Sequence, residues 1–284
     1  MPINSVNTNE SAMIALQTLD ATNSTLRVVQ KAVSTGFRVS DAVDDGAAYA
    51  IAQGIRSTSG ALTSANQQLG TSQGLLATTM SGLNNISNTM TSMRDVLVKL
   101  SDSSVTGADR TNYTAQYSSM LANVQTFIQD ANYDGKTLIS GGLAGSNGSF
   151  SRVAVARNES GSTYGIATFG GAAMFGSIGF AAATLSDATQ VQALITATGT
   201  FLNQFNSVTA ALNTVGSETN YVNNQISYNS DKIDSLQSGL GSLVDADLAK
   251  EAAQLQSLQI RQQLGTQSLS IANQAPAALL NLFK

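Results

Sequence analysis

Residues 48–100 read AYAIAQGIRSTSGALTSANQQLGTSQGLLATTMSGLNNISNTMTSMRDVLVKL, and the stripe they carry decides the fold. Its positions recur at alternating intervals of three and four: Ala48, Ile51, Ile55, Thr58, Leu62, Ala65, Leu69, Ser72, Leu76, Thr79, Leu83, Ile86, Met90, Met93, Leu97 and Leu100. Thirteen of these sixteen positions are apolar and the others are Thr or Ser, so one face of a helix meets a partner over its whole length. A second run repeats the pattern through Val191, Leu194, Thr198, Phe201, Phe205, Val208, Leu212, Val215, Thr219, Val222, Ile226, Asn229, Ile233, Leu236, Leu240 and Leu243. At a rise of about 1.5 Å per residue each run predicts a rod of roughly 80 Å. Such a rod is better suited to building something than to enclosing a catalytic pocket.

The rest of the composition agrees. The 284-residue chain has prolines only at Pro2 and Pro276, leaving a long interval with no forced helix break. Charged residues make up 11% and the net charge is −4, which points away from nucleic acid and from acidic membrane surfaces. Cys, His and Trp are absent, removing disulfides, thiol nucleophiles, histidine bases and Cys/His zinc sites. An enzyme and a cofactor are therefore not expected. No run of about 18 apolar residues is present, so membrane insertion is not expected either. The opening MPINSVNTNESAMIAL lacks a basic region followed by an apolar core, so a Sec signal peptide is not expected, and if the protein leaves the cell it uses another route.

Outward from the two runs, four further segments emerge. Residues 1–35 predict a helix through Val6, Met13, Leu16, Leu19, Leu26, Val29 and Val33, stopped by Gly36. The first long helix is expected over 41–104, with Asp41, Asp44 and Asp45 in its first turn, where the dipole favours negative charge. Gly54, Gly60, Gly70, Gly74 and Gly82 lie off its stripe, so it must depend on packing more than on propensity. A third helix is expected over 109–131, with Tyr113 and Tyr117 in the core. Residues 140–185 contain ten glycines and predict a β-hairpin (150–156 with 162–169) followed by a Gly/Ala-rich loop. A second long helix over 187–241 and a last helix over about 245–283 complete a mainly α fold. It is a long antiparallel bundle or coiled coil formed by the two halves of the chain around a small β middle. Asn229, at a stripe position, either fixes register or sits solvated at a loosened turn.

Several separated segments resemble bacterial flagellins. They are STGFRVSDAVDDGAAYAIA (34–52), VDADLAKEAAQLQSLQIRQQLGTQSLSIANQAPAALLNLF (244–283), DANYDGKTLI (130–139) and the opening INSVNTN. In the third of these, Tyr133 and Asp134 stand where the family commonly has Phe and Asn. The resemblance implies that residues 1–40 and 244–284 pair as an inner filament-core coiled coil. Residues 41–140 and 186–243 would form the rod, and 141–185 a short outer region whose Ser and Thr are candidates for O-linked sugars. It implies an assembly interface at Val6, Met13, Leu16, Leu19, Leu26, Leu248, Leu255, Leu264, Ile271, Leu279 and Leu282. Arg38, Asp44 and Asp45, at the first helix break, are either assembly contacts or ordinary solvated charges. The acidic groups Asp44–Asp45 and Asp245, Asp247 and Glu251 read as helix caps in preference to metal or acid/base clusters.

The implied function is a structural subunit of the flagellar filament, polymerising for swimming motility and located outside the cell. Implied partners are further copies or sister flagellins, the flagellar export apparatus and an export chaperone, the filament cap and hook-associated proteins. The ends of the chain would be disordered in the monomer and helical in the filament. Recognition by the animal toll-like flagellin receptor is expected to be weak, because Ser92 replaces the usual first Arg beside Arg94 and Gln116 replaces a Glu. A hook–filament junction protein, and more remotely a helical signalling bundle, are the alternative readings.

Overall fold

The structure, a computed structural model, describes residues 9–282, with side chains up to residue 274. The elements in order are α1 (Glu10–Thr35), α2 (Gly46–Leu100), α3 (Gly107–Asp130), β1 (Lys136–Thr137), β2 (Ser149–Phe150), β3 (Val153–Ala156) and β4 (Thr163–Ile166). The helices α4 (Gly171–Ile178), α5 (Ala182–Ser186), α6 (Ala188–Leu194), α7 (Thr200–Val244) and α8 (Leu248–Leu282) follow. The chain divides into two compact units, Met1–Thr58 with Asp234–Lys284, and Ser59–Ile233.

In the first unit α1 runs antiparallel to α8. Asn9 caps α1 by accepting from the Ala12 N–H (3.1 Å), and its amide donates to the Ala272 carbonyl (2.7 Å). Further along, Gln262 donates to Asn23 (2.7 Å), and Leu26, Val29 and Leu258 bury against one another with Val33 and Leu255 beside them. Gly36, in the left-handed conformation, ends α1. The chain then pairs with the α7–α8 turn: Arg38 N–H donates to the Val244 carbonyl (2.7 Å) and Ala246 N–H to the Gly36 carbonyl (2.9 Å). Val39, Ala48, Ala52 and Val244 form a small core beneath this rung.

In the second unit α2 and α7 are antiparallel. Asn66 and Gln73 of α2 bond Asn229 and Asn223 of α7, and a Cβ at Gly216 of α7 would lie beside Met80 of α2. From Leu62 to Leu100 the α2 stripe is buried, facing Phe201, Val208, Val215 and Val222, with Val124 and Ile128 of α3 in the same core. Arg110 ties the end of α2 to α3 and α5 by donating to the carbonyls of Leu100, Asp102, Val105 and Leu185. Tyr133 and Lys136 exchange backbone hydrogen bonds around Asp134–Gly135, both at positive φ, a two-residue turn that suits these residue types.

Asn229 is fully buried. Its amide donates to Asn66 (2.8 Å) and to the carbonyl of Arg157 (3.1 Å), so it joins α2, α7 and the hairpin turn. Glu159 in that turn also pairs with Lys232 (2.5 Å).

Three local expectations need correction. First, α2 begins at Gly46, not 41, because the aspartates bond the preceding turn. Asp41 accepts from Val43 and Asp44 N–H, Asp44 from Ser40 and Asp41 N–H, and only Asp45 caps the helix, through Ala47 and Ala48 N–H. Second, the helix expected over 187–241 is interrupted at 195–199. There Thr196 bonds back to the Ala193 carbonyl, Asn203 closes onto the Thr198 carbonyl, and Gly199 N–H folds onto Thr196. Third, residues 171–178 are helical, with Gly171, Met174 and Ile178 on one buried face. A Cβ at Gly171 would collide with the Ile139 carbonyl, so glycine here serves close docking, not looseness.

Candidate assembly surfaces

On α1 the buried side chains are Ala15, Leu26, Val29 and Ala32. Met13 (63% exposed), Ile14, Leu16 and Val28 face outward, as do Leu248, Ile260, Leu264 (64%) and Ile271 of α8. A large apolar side chain moved fully out of water stabilises by about 1.5–3 kcal/mol. Eight are left in water on one helix pair, a concentration that suits association.

Of the residues expected from sequence, Leu26 and Leu255 meet within the α1–α8 pair, and Leu19 lies against Gly265, where a Cβ would approach to 3.1 Å. Met13, Leu16, Leu248, Leu264 and Ile271 are solvent-facing. Val6 and the side chains of Leu279 and Leu282 lie outside the described residues. Ile14 and Val28 were not expected, because they sit off the stripe that spacing singles out on the first helix, whereas Ile260 is in phase with Leu264 and Ile271 and joins them in facing solvent.

The charges at the first helix break also differ from expectation. The partner of Asp41 and Asp44 is Lys31 of α1, at 2.6 Å and 2.9 Å. The Lys31 hydrogen bonds hold both carboxyls below the usual carboxylate range, Asp44 far below it, and raise the Lys31 ammonium. Arg38 instead donates to the Leu243 carbonyl (2.6 Å). The signal for Lys31 was available, since Gly36 turns the chain back so that a residue ten positions earlier faces Asp41.

The acidic groups weighed against metal or acid/base roles act as caps: Asp45 for α2 and Asp247 for α8, through Ala249 and Lys250 N–H. Among the described residues no three acidic side chains gather as metal ligands, and no helix is long and apolar enough to cross a membrane. A groove of about 360 Å³ in the second unit is lined by Leu138, Ile139, Phe169 and Val215 with small Ala, Ser and Thr side chains, none ionisable. Glu218 is buried and is not among the lining residues; one carboxylate oxygen accepts from the N–H of Ala167, which does line the groove (2.7 Å), and burial pushes its carboxyl upward.

Well-formed helices that leave apolar faces uncovered define a protein whose chemistry is association. Comparison with known sequences supplies the particular family. Residues 6–143 match the bacterial flagellin N-terminal helical region and residues 183–283 the bacterial flagellin C-terminal helical region. The chain is 32% identical to flagellin FljK of Caulobacter vibrioides over 284 residues, covering all of both chains. It is also 32% identical to a flagellin of Brucella melitensis, over 99% of each. A putative flagellar hook-associated protein of Vibrio parahaemolyticus shares the fold, with a TM-score of 0.59 at 16% identity over 71% of this chain and all of that one. The chain belongs to the bacterial flagellin family. It is a structural, non-catalytic subunit that polymerises into the extracellular filament of the bacterial flagellum, consistent with a part in motility.

Proposed function

We propose that residues 1–40 and 244–284 line the filament core, that 41–140 and 186–243 form the surrounding shaft, and that 141–185 lies outermost. The observation that carries this reading is the set of apolar side chains left exposed on both α1 and α8. The assembly contacts are Met13, Leu16, Leu248, Leu264 and Ile271, with Ile14, Val28 and Ile260 added to the sequence-derived set. An open helical array joins unlike surfaces of neighbouring copies, and exposure on several sides of the helix pair suits such contacts. Electron microscopy under polymerising conditions tests this, comparing the full chain with a version truncated after Val244. Filaments from the full chain alone are expected; filaments from both would remove α8 from the interface.

The finer partners follow the same reading. A chain without cysteine carries no crosslink and can be threaded unfolded through the flagellar export apparatus, independently of the Sec route. An export chaperone would shield its apolar termini. It would add beneath the filament cap, with hook-associated proteins at the filament ends. The animal toll-like receptor would recognise it weakly, because exposed Arg94 has Ser92 and Gln116 where charged partners are usual. A receptor reporter assay with the purified monomer is expected to show a weak response, and a potent one overturns this part.

A further inference from the structure

Asn147 is followed by glycine, as no other asparagine of the chain is. The distinction matters because an asparagine carboxamide can be attacked by the backbone nitrogen of the next residue, and a side chain on that residue obstructs the approach. Asparagines inside helices are protected further, since the following N–H is committed to the helical ladder. Asn132, outside a helix, is followed by Tyr133, whose N–H donates to Lys136 (2.8 Å). Asn147 and Gly148 are both exposed, and the Gly148 N–H makes no hydrogen bond among the described residues.

We propose that Asn147–Gly148 is a site of spontaneous deamidation whose product unties the 143–149 loop from the end of α3. The deprotonated Gly148 nitrogen bonds to the Asn147 side-chain carbonyl carbon. The carbon–nitrogen bond of the carboxamide breaks, ammonia leaves with the proton, and a five-membered imide remains. Water then opens the imide at either carbonyl, giving aspartate or isoaspartate. No oxidant or reductant is involved, and water is the co-reactant.

The surroundings give the change a structural effect. Asn147 holds the loop by donating its carboxamide to Asp130 (3.2 Å) and its backbone N–H to the Gln129 carbonyl (3.1 Å). Gln129 in turn donates to the Ala144 carbonyl (2.7 Å). Deamidation replaces the donor that faces Asp130 with a second carboxylate, converting attraction into repulsion. Isoaspartate also lengthens the backbone by one methylene two residues before Ser149, whose N–H donates to the Gly135 carbonyl (2.7 Å). A subunit in the extracellular filament would carry the change for as long as the filament lasts.

The test is to age the purified full-length chain in mildly alkaline buffer and follow every asparagine by peptide mass mapping. Aspartate and isoaspartate are expected at position 147 ahead of all other asparagines, and Asn147→Gln, which would have to close a larger ring, should abolish the conversion. An intact Asn147 after ageing, or another asparagine converting as fast, overturns the site. Hydrogen exchange then tests the untying. Asn147→Asp should speed exchange across 143–149 by roughly two- to fivefold, with Asn147→Ser causing less, while the α3 core keeps its protection. Equal effects of Asp and Ser overturn the repulsion argument, and unchanged exchange in Asn147→Asp overturns the untying.

Discussion

The same apolar stripe has two fates along α2 and α7. In the second unit the α2 members Leu62, Leu69, Leu76, Leu83 and Leu97 vanish from solvent, as do Phe201, Val208 and Val222 of α7, while Phe205, Leu212 and Ile226 are partly covered. In the first unit Ile51 is 57% exposed, while Leu236, Leu240 and Leu243 are only partly covered. Periodicity is alike in both; the number of neighbours is not. Around the second unit α3, the hairpin and the short helices α4 and α5 wrap the stripe, whereas α1 and α8 have chiefly each other. One unit is thus a finished core and the other leaves apolar surface uncovered.

Truncation gives the widest separation. Leu83→Ala, in the finished core, should cost about 2–5 kcal/mol of unfolding free energy in denaturant titrations of the monomer. Leu264→Ala should change that quantity by less than about 0.5 kcal/mol yet suppress polymerisation measured by sedimentation. If Leu264→Ala destabilises the monomer as much as Leu83→Ala does, the contrast between the units collapses.

Asn229 sharpens the same contrast from the polar side. Asn229→Ala would leave Asn66 and the Arg157 carbonyl without their bond, costing about 1–3 kcal/mol by thermal or chemical denaturation. An unchanged midpoint would mean that water replaces it at no cost. The glycines of α2 provide a smaller effect with opposite signs in the two units. A Cβ at Gly54 meets open space, so Gly54→Ala should stabilise by about 0.5–1 kcal/mol. A Cβ at Gly82 would lie 2.9 Å from that of Ala131, so Gly82→Ala should destabilise by about 1–3 kcal/mol through overpacking. Denaturation midpoints moving in the same direction would contradict this.

Acid titration gives the least separation. The lowered pKa values of Asp41 and Asp44 contribute stability that is present above the ordinary carboxylate range and lost as pH falls through their folded values. Glu218 has the opposite sign. Its raised pKa favours the fold below the unfolded value, and that contribution is lost as pH rises through the folded one. Segment-resolved hydrogen exchange should therefore show residues 31–45 loosening in strong acid while the Ala167–Glu218 junction holds. Glu218→Gln should remove the junction's pH dependence. Simultaneous loosening of both segments would refute the assignment.

The mainly α architecture was legible because stripe positions such as Leu62 and Leu83 bury a side chain at each helical repeat, a signal that local chemistry rarely erases. The interruption at 195–199 was not. Val191 and Leu194 keep the stripe in phase on one side of it and Phe201 resumes it on the other, so spacing alone reads straight through. Helix α4 was hidden for the converse reason: glycine advertises looseness, yet Gly171 is required because the Ile139 carbonyl occupies the place of its Cβ. Of the candidate surface, sequence found the stripe-side members Met13 and Leu264. It passed over Ile14 and Val28, since exposure off the stripe depends on how few helices surround the pair.

The backbone rung joining Gly36 and Arg38 to Val244 and Ala246 has a consequence for chain length. Its bonds are made by main-chain atoms, so the side chains at Phe37 and Asp245 are replaceable while the number of residues is not. Removing one residue from the last turn of α1, next to the rung, would rotate the rest of that helix by about 100°. Leu26 and Val29 would then point away from Leu258. Compensation would demand a matching deletion on the α8 side, so insertions and deletions at the two connections are tolerated only as pairs.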